Sequence, residues 1–99
     1  MGEHRIVRVV VSGGVQGVGF RAWTRHQAEL RGLAGWVRNR RDGTVEAVLS
    51  GPGDVVEGML EVLRQGPSNA DVNGVDIEDG DRSMMAGAGP GRFEILATV

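Results

Sequence analysis

Four glycines within seven residues separate a strand-forming run from a helix-forming run near the N-terminus. The strand-forming run, residues 6–12, is Ile-Val-Arg-Val-Val-Val-Ser, and its β-branched side chains suit the pleated surface of a sheet. Glycine permits positive φ angles and close approach of the backbone to a ligand. The glycines are Gly13, Gly14, Gly17 and Gly19, and a helix-like pattern begins at Phe20. This order predicts a strand, a tight glycine-rich turn and a helix in immediate succession.

The glycine-rich turn also has the composition of an anion-binding loop. Successive amide N–H groups in such a turn can converge on one point, and the start of a helix adds unpaired N–H groups and the positive end of its dipole. Arg21 falls in the first helical turn, where its planar guanidinium can hold a phosphate through two N–H donors. We interpret residues 13–21 as a phosphate-binding loop with an arginine at its edge. The alternative is a flexible strand–helix turn without a ligand.

Length and composition limit the class of protein. A chain of 99 residues suffices for one small domain with a single core, and we expect residues 1–99 to form one domain. The absence of cysteine excludes a disulfide framework and a thiolate nucleophile. No apolar run approaches the roughly 20 residues that span a bilayer, and the N-terminus lacks an apolar signal-peptide region. We therefore expect a cytoplasmic protein that makes no contact with a membrane.

Positive and negative charges are unevenly distributed along the chain. Residues 1–50 carry eight arginines and four carboxylates, whereas residues 51–99 carry three arginines and nine carboxylates. The glycine-rich turn lies in the positive half, which favours binding of a small anion there. The formal net charge of the whole chain is −2. Nucleic acid is therefore not an expected partner, because domains that bind it are strongly basic.

The first helix is predicted over residues 20–31 and ends at Gly32, which suits the position after a helix C-terminus. Two neighbouring rows of side chains compete for contact with the sheet. One row is Phe20, Trp23, Gln27 and Leu30, and the other is Phe20, Thr24, Ala28 and Arg31. We expect Ala28 and one of the two rows to face the sheet, and we favour the row that contains Leu30, because leucine is apolar whereas Arg31 is charged.

The rest of the chain is predicted to alternate strands with one more helix. Residues 1–5 are expected to be a short lead-in, and residues 79–91 an exposed, mobile loop. Further strands are predicted at residues 33–39, 44–50, 70–78 (with a bulge at Asn73-Gly74) and 92–99, a hairpin turn at 40–43, and a helix from 51–54 to 65. The order is βαββαβ with a final strand. It predicts an α+β, ferredoxin-like two-layer sandwich, with two helices on one face of a mainly antiparallel sheet.

Two stretches resemble the signatures of the acylphosphatase family. Residues 13–21, Gly-Gly-Val-Gln-Gly-Val-Gly-Phe-Arg, match the family's first motif. Residues 35–39, Gly-Trp-Val-Arg-Asn, followed by Gly43, Val45 and Gly51, match its second. The resemblance implies a small enzyme that needs neither a metal ion nor a cofactor. Its implied reaction is the hydrolysis of acyl phosphates to a carboxylate and inorganic phosphate.

The resemblance also implies a role for each matching residue. Phosphate is held by backbone amides of the loop and clamped by the side chain of Arg21, while the side chain of Asn39 positions water. The loop residues concerned are Val15, Gln16, Gly17, Val18, Gly19 and Phe20. The implied partners are a small acyl phosphate and the phosphate product, and a monomer is the expected state. The sequence identifies no pocket for the acyl group.

Neither motif contains a side chain that serves readily as a nucleophile or a general base. Ser, Cys, His, Asp and Glu are absent from residues 13–21 and 35–39. Asp42 follows in the hairpin turn and is interpreted as a turn-forming residue. An acyl phosphate suits such a site, because its carboxylate leaving group has a pKa of about 4 and departs without a proton donor.

Several alternatives stay open from the sequence alone. The chain is alternatively a non-catalytic ferredoxin-like module that binds an anion or RNA, or a domain of a larger enzyme that handles carbamoyl phosphate. Asn39 is alternatively a strand-end residue that caps its own turn. Trp36 belongs either to the core or to the acyl side of the site. The arginines after Trp36 are expected to form a solvated rim; they are Arg38, Arg40 and Arg41.

Overall fold

The structure, a computed structural model, describes residues 3–99 and has the predicted order of elements. The strands are β1 (His4–Gly14), β2 (Ala34–Asn39), β3 (Val45–Pro52), β4 (Asp71–Asp79) and β5 (Phe93–Ile95), and the helices are α1 (Phe20–Leu30) and α2 (Gly53–Gln65). A short 3₁₀ helix, Arg82–Met85, lies between β4 and β5. The expected lead-in is wrong for His4 and Arg5, which already belong to β1, and residues 1 and 2 lie outside the described residues.

The five strands form one sheet in the order β4-β1-β3-β2-β5. All neighbouring pairs are antiparallel except β2 and β5, which are parallel. One hydrophobic cluster joins alternate residues of the strands to buried residues of both helices, so both helices cover the same face. The predicted α+β, ferredoxin-like sandwich is confirmed. No helix among residues 3–99 is long and apolar enough to cross a membrane.

The central strand, β3, is buried on both of its faces. Val45, Ala47 and Leu49 point to the helices, while Glu46 faces the opposite side of the sheet. Glu46 accepts hydrogen bonds from arginines on the two flanking strands. The Nε of Arg8 lies 2.5 Å from Oε2 of Glu46, and the Nε of Arg38 lies 2.7 Å from Oε1. These bonds connect β1, β3 and β2 across the face that the helices leave uncovered.

Arg38 is therefore not part of a solvated rim, contrary to expectation. Besides its ion pair with Glu46, its guanidinium carbon lies 4.5 Å from the ring centroid of Trp36. Burial alone raises the pKa of Glu46, but hydrogen bonds and charges from Arg38 and Arg8 outweigh it and hold that pKa below its ordinary value. Arg38 immediately precedes Asn39, so this ion pair fixes the end of β2.

The preference for the Leu30 row of α1 is wrong, although Ala28 faces the sheet as expected. Phe20, Thr24 and Ala28 face the sheet, whereas 66% of Leu30 is exposed. The cause is the turn that ends the helix. Gly32, at φ +67°, donates to the carbonyl of Glu29 (3.1 Å), and the next residue, Leu33, donates to the carbonyl of Ala28 (3.0 Å). This turn brings Leu33 into the core, where it supplies the apolar contact that was expected from Leu30.

Residues 79–91 are more regular than the predicted loop. Asp81 accepts a hydrogen bond from the N–H of Ser83 and starts the 3₁₀ helix. Nε1 of Trp36 donates to the carbonyl oxygen of Met84 (2.6 Å), so this segment covers Trp36 on the face opposite the helices. The expectation of an irregular loop is wrong for residues 82–85, because a long-range contact with β2 orders them.

Two further strand predictions had different outcomes. The predicted bulge is confirmed, because the register of β1 with β4 shifts from Ser12 opposite Gly74 to Gly13 opposite Val72. The final strand is shorter than predicted and ends at Ile95. The chain nevertheless continues beside β2, since the N–H of Leu96 donates to Val37 (2.9 Å) and that of Val99 to Asn39 (3.1 Å).

The orientation of α1 predicts opposite effects for two nearby leucines. Leu33→Ala removes a buried side chain and should lower the free energy of unfolding by about 2–5 kcal/mol. Leu30→Ala changes an exposed side chain and should alter it by less than about 0.5 kcal/mol. Urea unfolding of both variants measures the difference. Equal destabilisation by the two substitutions would contradict the orientation.

The environment of Glu46 predicts that the free energy of unfolding decreases in acid. Its pKa is lowered in the folded state, so its stabilising contribution is complete above its unfolded pKa and is lost as pH falls through the folded pKa. Glu46→Gln should lower the free energy of unfolding at pH 7 by about 1.5–3 kcal/mol, because two charge-assisted hydrogen bonds weaken. The gap between the variant and the unmodified protein should narrow as pH falls below about 4.5, the usual carboxyl range.

The matched control for Glu46 is Glu78→Gln. Glu78 also pairs with Arg8, but 59% of its side chain is exposed, so the change should cost less than about 1 kcal/mol. Urea unfolding at a series of pH values tests both. A gap between Glu46→Gln and the unmodified protein that stays constant with pH would show that the carboxylate charge is not the cause.

Candidate active site

The glycine-rich loop leaves β1 at Gly14 and enters α1 at Phe20. Gly17 and Gly19 have φ angles of +75° and +77°, in the left-handed region that favours glycine. A Cβ atom added at either position would meet nothing within 4 Å, so this side of the loop is open. Gly19 also occupies the N-cap position of α1 and provides no side chain to bond the first helical amides.

Most amide N–H groups of this loop have no acceptor among residues 3–99. The N–H of Val15 donates to the carbonyl of Gly13 (3.0 Å), and the N–H of Trp23 makes the first helical bond, to Gly19 (3.0 Å). Between these two, the N–H groups of residues 16–22 have no acceptor among residues 3–99. Such a run of free donors at a helix N-terminus is an anion-binding arrangement.

The loop, α1, β2 and β5 together enclose a cavity of about 240 Å³. Its lining residues are Val15, Gly17, Gly19, Phe20, Arg21, Ala22, Asn39 and Ile95. The structure thus brings Arg21 and Asn39, from different elements, to one cavity. The side chains of Gln16 and Val18 do not line it. No carboxylate or imidazole is present in the lining, so Arg21 is its one ionisable group.

Arg21 and Asn39 are both partly buried, and their side chains are unpartnered. Neither side chain has a hydrogen bond or an ion pair within residues 3–99. Arg25, one turn later on α1, differs because its Nε lies 3.3 Å from a carboxylate oxygen of Glu29. The guanidinium of Arg21 therefore keeps all its donors available beside the free amides of the loop.

The side chain of Gln16 connects the loop to the hairpin that follows Asn39. Its Nε2 donates to the carbonyl oxygens of Arg40 (2.7 Å) and Thr44 (2.9 Å), the two ends of the hairpin turn. Sequence reasoning assigned only the backbone of Gln16 to the site and missed this contact. No local pattern signals it, because the two segments lie 24 and 28 residues apart.

The hairpin turn itself is formed by Asp42, as interpreted from the sequence. Its Oδ1 accepts hydrogen bonds from the N–H (3.0 Å) and the hydroxyl (2.6 Å) of Thr44, and these bonds hold the pKa of Asp42 below its ordinary value. Within residues 3–99 the side chain of Asn39 makes no such bond, so it does not cap the turn. Trp36 lies on the opposite face of the sheet and does not line the cavity.

The chain is similar to proteins of one family along nearly its whole length. The family model described as Acylphosphatase matches residues 7–95. A relative from Rhodopseudomonas palustris named Acylphosphatase is 50% identical over 95 residues, which cover 95% of this chain and 96% of that relative. The crystal structure of acylphosphatase from Bacillus subtilis is 34% identical and superimposes with a TM-score of 0.82, covering 95% of this chain and 99% of that one.

The same fold also recurs within a much longer protein. The crystal structure of full-length HypF in the phosphate- and nucleotide-bound form superimposes with a TM-score of 0.83. The match covers 99% of this chain but 12% of that one, at 19% identity. At that identity the likeness shows a common fold alone.

The geometry predicts that the cavity binds inorganic phosphate through Arg21. Arg21→Gln removes a charged donor and should weaken phosphate binding roughly 10- to 100-fold, because a charge-assisted hydrogen bond contributes about 1.5–3 kcal/mol. Isothermal titration calorimetry measures this directly. Arg25→Gln, the same change one turn further along α1, should leave the affinity unchanged. Equal weakening by both changes would instead indicate a diffuse effect of positive charge.

Proposed function

This chain belongs to the acylphosphatase family and is thus an enzyme of the hydrolase class, and we propose how it hydrolyses acyl phosphates. In this proposal the free amides of the loop and the guanidinium of Arg21 hold the phosphoryl group. Asn39 positions the attacking water. No metal ion takes part.

One observation carries the proposal: Arg21, Asn39 and residues of the glycine-rich loop line a single cavity, and their side-chain donors and the loop amides have no partner within residues 3–99, apart from the N–H of Val15. An arginine about 4 Å from a phosphoryl oxygen contributes roughly 4 kcal/mol of Coulomb attraction at an effective dielectric constant near 20. The amides of residues 16–20 add fixed partial charges without any rearrangement. Val15 lines the cavity, but its own N–H is already bonded to Gly13, so its contribution is to shape rather than donation.

The leaving group explains why the cavity needs no acid or base. Water attacks phosphorus, the bond between phosphorus and the acyl oxygen breaks, and the carboxylate departs with the electron pair. Its conjugate acid has a pKa of about 4, so it leaves without protonation. The transition state for phosphoryl transfer is loose, and catalysis then depends on positioning and on stabilising charge. Arg21 and the loop amides stabilise the charge.

Asn39 supplies the positioning of water. Its amide group both donates and accepts hydrogen bonds, so it can hold a water molecule in line with the leaving carboxylate. The cavity lining contains no carboxylate or imidazole to accept the proton of that water. We infer that a phosphoryl oxygen of the substrate accepts it, which yields inorganic phosphate directly. The same lining contains no carboxylate, imidazole or thiolate, the side chains that most often bind a catalytic metal ion.

The competing proposal, an RNA-binding module, finds no support in the exposed surface of the sheet. Sheets of this topology that bind RNA present aromatic side chains on which bases stack. Trp36 is 5% exposed and lies beneath the segment around Met84, and Phe93 is 3% exposed. Neither ring is available for stacking.

Two substitutions separate the proposed roles. Asn39→Ala should lower kcat about 10²- to 10³-fold with little change in KM, the usual loss for one positioned group. Arg21→Gln should abolish measurable turnover and weaken phosphate binding roughly 10- to 100-fold, as expected for the loss of a charge-assisted donor. The assay is hydrolysis of benzoyl phosphate with a chelator present throughout. Asn73→Ala, at the exposed bulge of β4, is the matched control and should behave as the unmodified protein.

Three results would contradict parts of this proposal. Loss of activity on addition of chelator would show that a metal ion takes part. A variant Asn39→Ala that binds substrate poorly but turns over normally would make Asn39 a structural residue. A protein side chain whose titration controls kcat between pH 6 and 8 would exclude proton transfer to the substrate.

A further inference from the structure

Ile95 is an exposed apolar residue at the edge of the candidate active site. Among residues 3–99, the large hydrophobic residues with exposed side chains are Leu30, Ile95 and Val99. Of these three, Ile95 alone lines the cavity that contains Arg21 and Asn39. With 37% of its surface exposed, Ile95 faces water while contributing apolar surface to a site for a charged ligand.

The pairing of β5 with β2 explains how Ile95 reaches this position. The two strands are parallel, and Ile95 lies opposite Val37, two residues before Asn39. Phe93 and Ile95 share one face of β5, because side chains alternate along a strand. Phe93 is buried in the core, whereas Ile95 lies further along, beside the first turn of α1.

The lining of the cavity combines polar donors with apolar side chains. Amide donors and Arg21 lie on the side of the glycine-rich loop, where the phosphoryl group is proposed to bind. Ile95 comes from β5 rather than from the loop, and Ala22 of α1 adds a second small apolar side chain; we call these two residues the apolar edge. Arg21 is the one charged residue in the lining. An acyl group that extends from the bound phosphoryl group towards this edge meets apolar side chains. It finds no cation there to pair with a second negative charge.

We propose that Ile95, together with Ala22, forms the acyl subsite and favours acyl phosphates whose acyl group is apolar and carries no second charge. This inference rests on the proposed function, since it concerns the other half of the same substrate. An aryl or alkyl group that covers Ile95 removes its exposed apolar surface from water, which stabilises the complex. A small acyl group such as acetyl covers less of that surface and gains less.

The test compares two substrates in each variant. The measured quantity is the ratio of kcat/KM for benzoyl phosphate to kcat/KM for acetyl phosphate. Ile95→Ser should lower this ratio about tenfold, since apolar contacts of this size typically change specificity by a factor of ten or more. Ile95→Val keeps an apolar side chain and should restore most of the ratio. Leu30→Ser removes an exposed leucine from α1 outside the cavity and should leave it unchanged.

A second test measures an increase in activity towards a new substrate rather than a decrease. Ile95→Arg introduces a cation at the apolar edge, so kcat/KM for succinyl phosphate should rise at least tenfold relative to that for benzoyl phosphate. The free carboxylate of the succinyl group then has a partner. Inorganic phosphate, tested as an inhibitor of every variant, reports whether the phosphoryl side remains intact.

The outcomes separate the subsite from the function on which it rests. A benzoyl-to-acetyl ratio that Ile95→Ser leaves unchanged, or that Leu30→Ser lowers equally, overturns the subsite while the proposed hydrolysis stands. Absence of a gain for succinyl phosphate in Ile95→Arg, with phosphate inhibition retained, also overturns it. Failure of the unmodified protein to hydrolyse either acyl phosphate overturns the proposed function itself.

Discussion

A loop that offers its amide groups to a ligand must leave those groups unbonded within the protein. The N–H groups of residues 16–22 find no acceptor in the part of the chain that the structure describes, so this segment lacks the backbone hydrogen bonds that normally fix a conformation. Two side-chain contacts hold the loop instead, one made by Gln16 and one by Asn69. Gln16 binds the hairpin after β2, and Nδ2 of Asn69 donates to the carbonyl of Val18 (3.1 Å). In both contacts a side-chain amide donates to a backbone carbonyl oxygen, so the backbone N–H groups of the loop are not used.

Contacts on the opposite face of the sheet help to fix the end of β2, where Asn39 lies. In the proposed mechanism, Asn39 can position water only if the end of β2 is fixed relative to the loop. Arg38, the preceding residue, pairs with Glu46 of the central strand, and its guanidinium stacks on Trp36. On the other side, the backbone of Asn39 accepts from the N–H of Val99. Contacts on both sides of the residue thus fix its backbone and leave its side chain unbonded.

Local patterns in the sequence predicted most of the fold. The β-branched run of β1, the glycine after α1 and the bulge near Gly74 each follow from the properties of a few adjacent residues. The orientation of α1 could not be predicted in this way. It depends on the turn at Gly32, which places Leu33 in the core against other elements. The 3₁₀ helix depends on Met84 meeting Trp36, and the Gln16 contact depends on a distant hairpin. Periodicity carries no information about such pairs.

The candidate site divides in the same way. The two motifs located Arg21 and Asn39, and the structure places both at one cavity, while their chemical roles stay predictions. Ile95 was not identified, because it belongs to neither motif. The sequence pattern reports which face of β5 the side chain is on. It does not report where along that face the helix ceases to cover the sheet.

The two outer strands of the sheet have a consequence for the protein in concentrated solution. Unpaired strand edges are templates on which other chains can add and aggregate. Here one outer strand, β4, is interrupted by a bulge and carries exposed carboxylates along its length; they are Asp71, Asp76, Glu78 and Asp79. The other, β5, is three residues long. At the β4 edge, the negative charges repel a second molecule. At the β5 edge, the short strand offers few backbone groups with which a second molecule could pair.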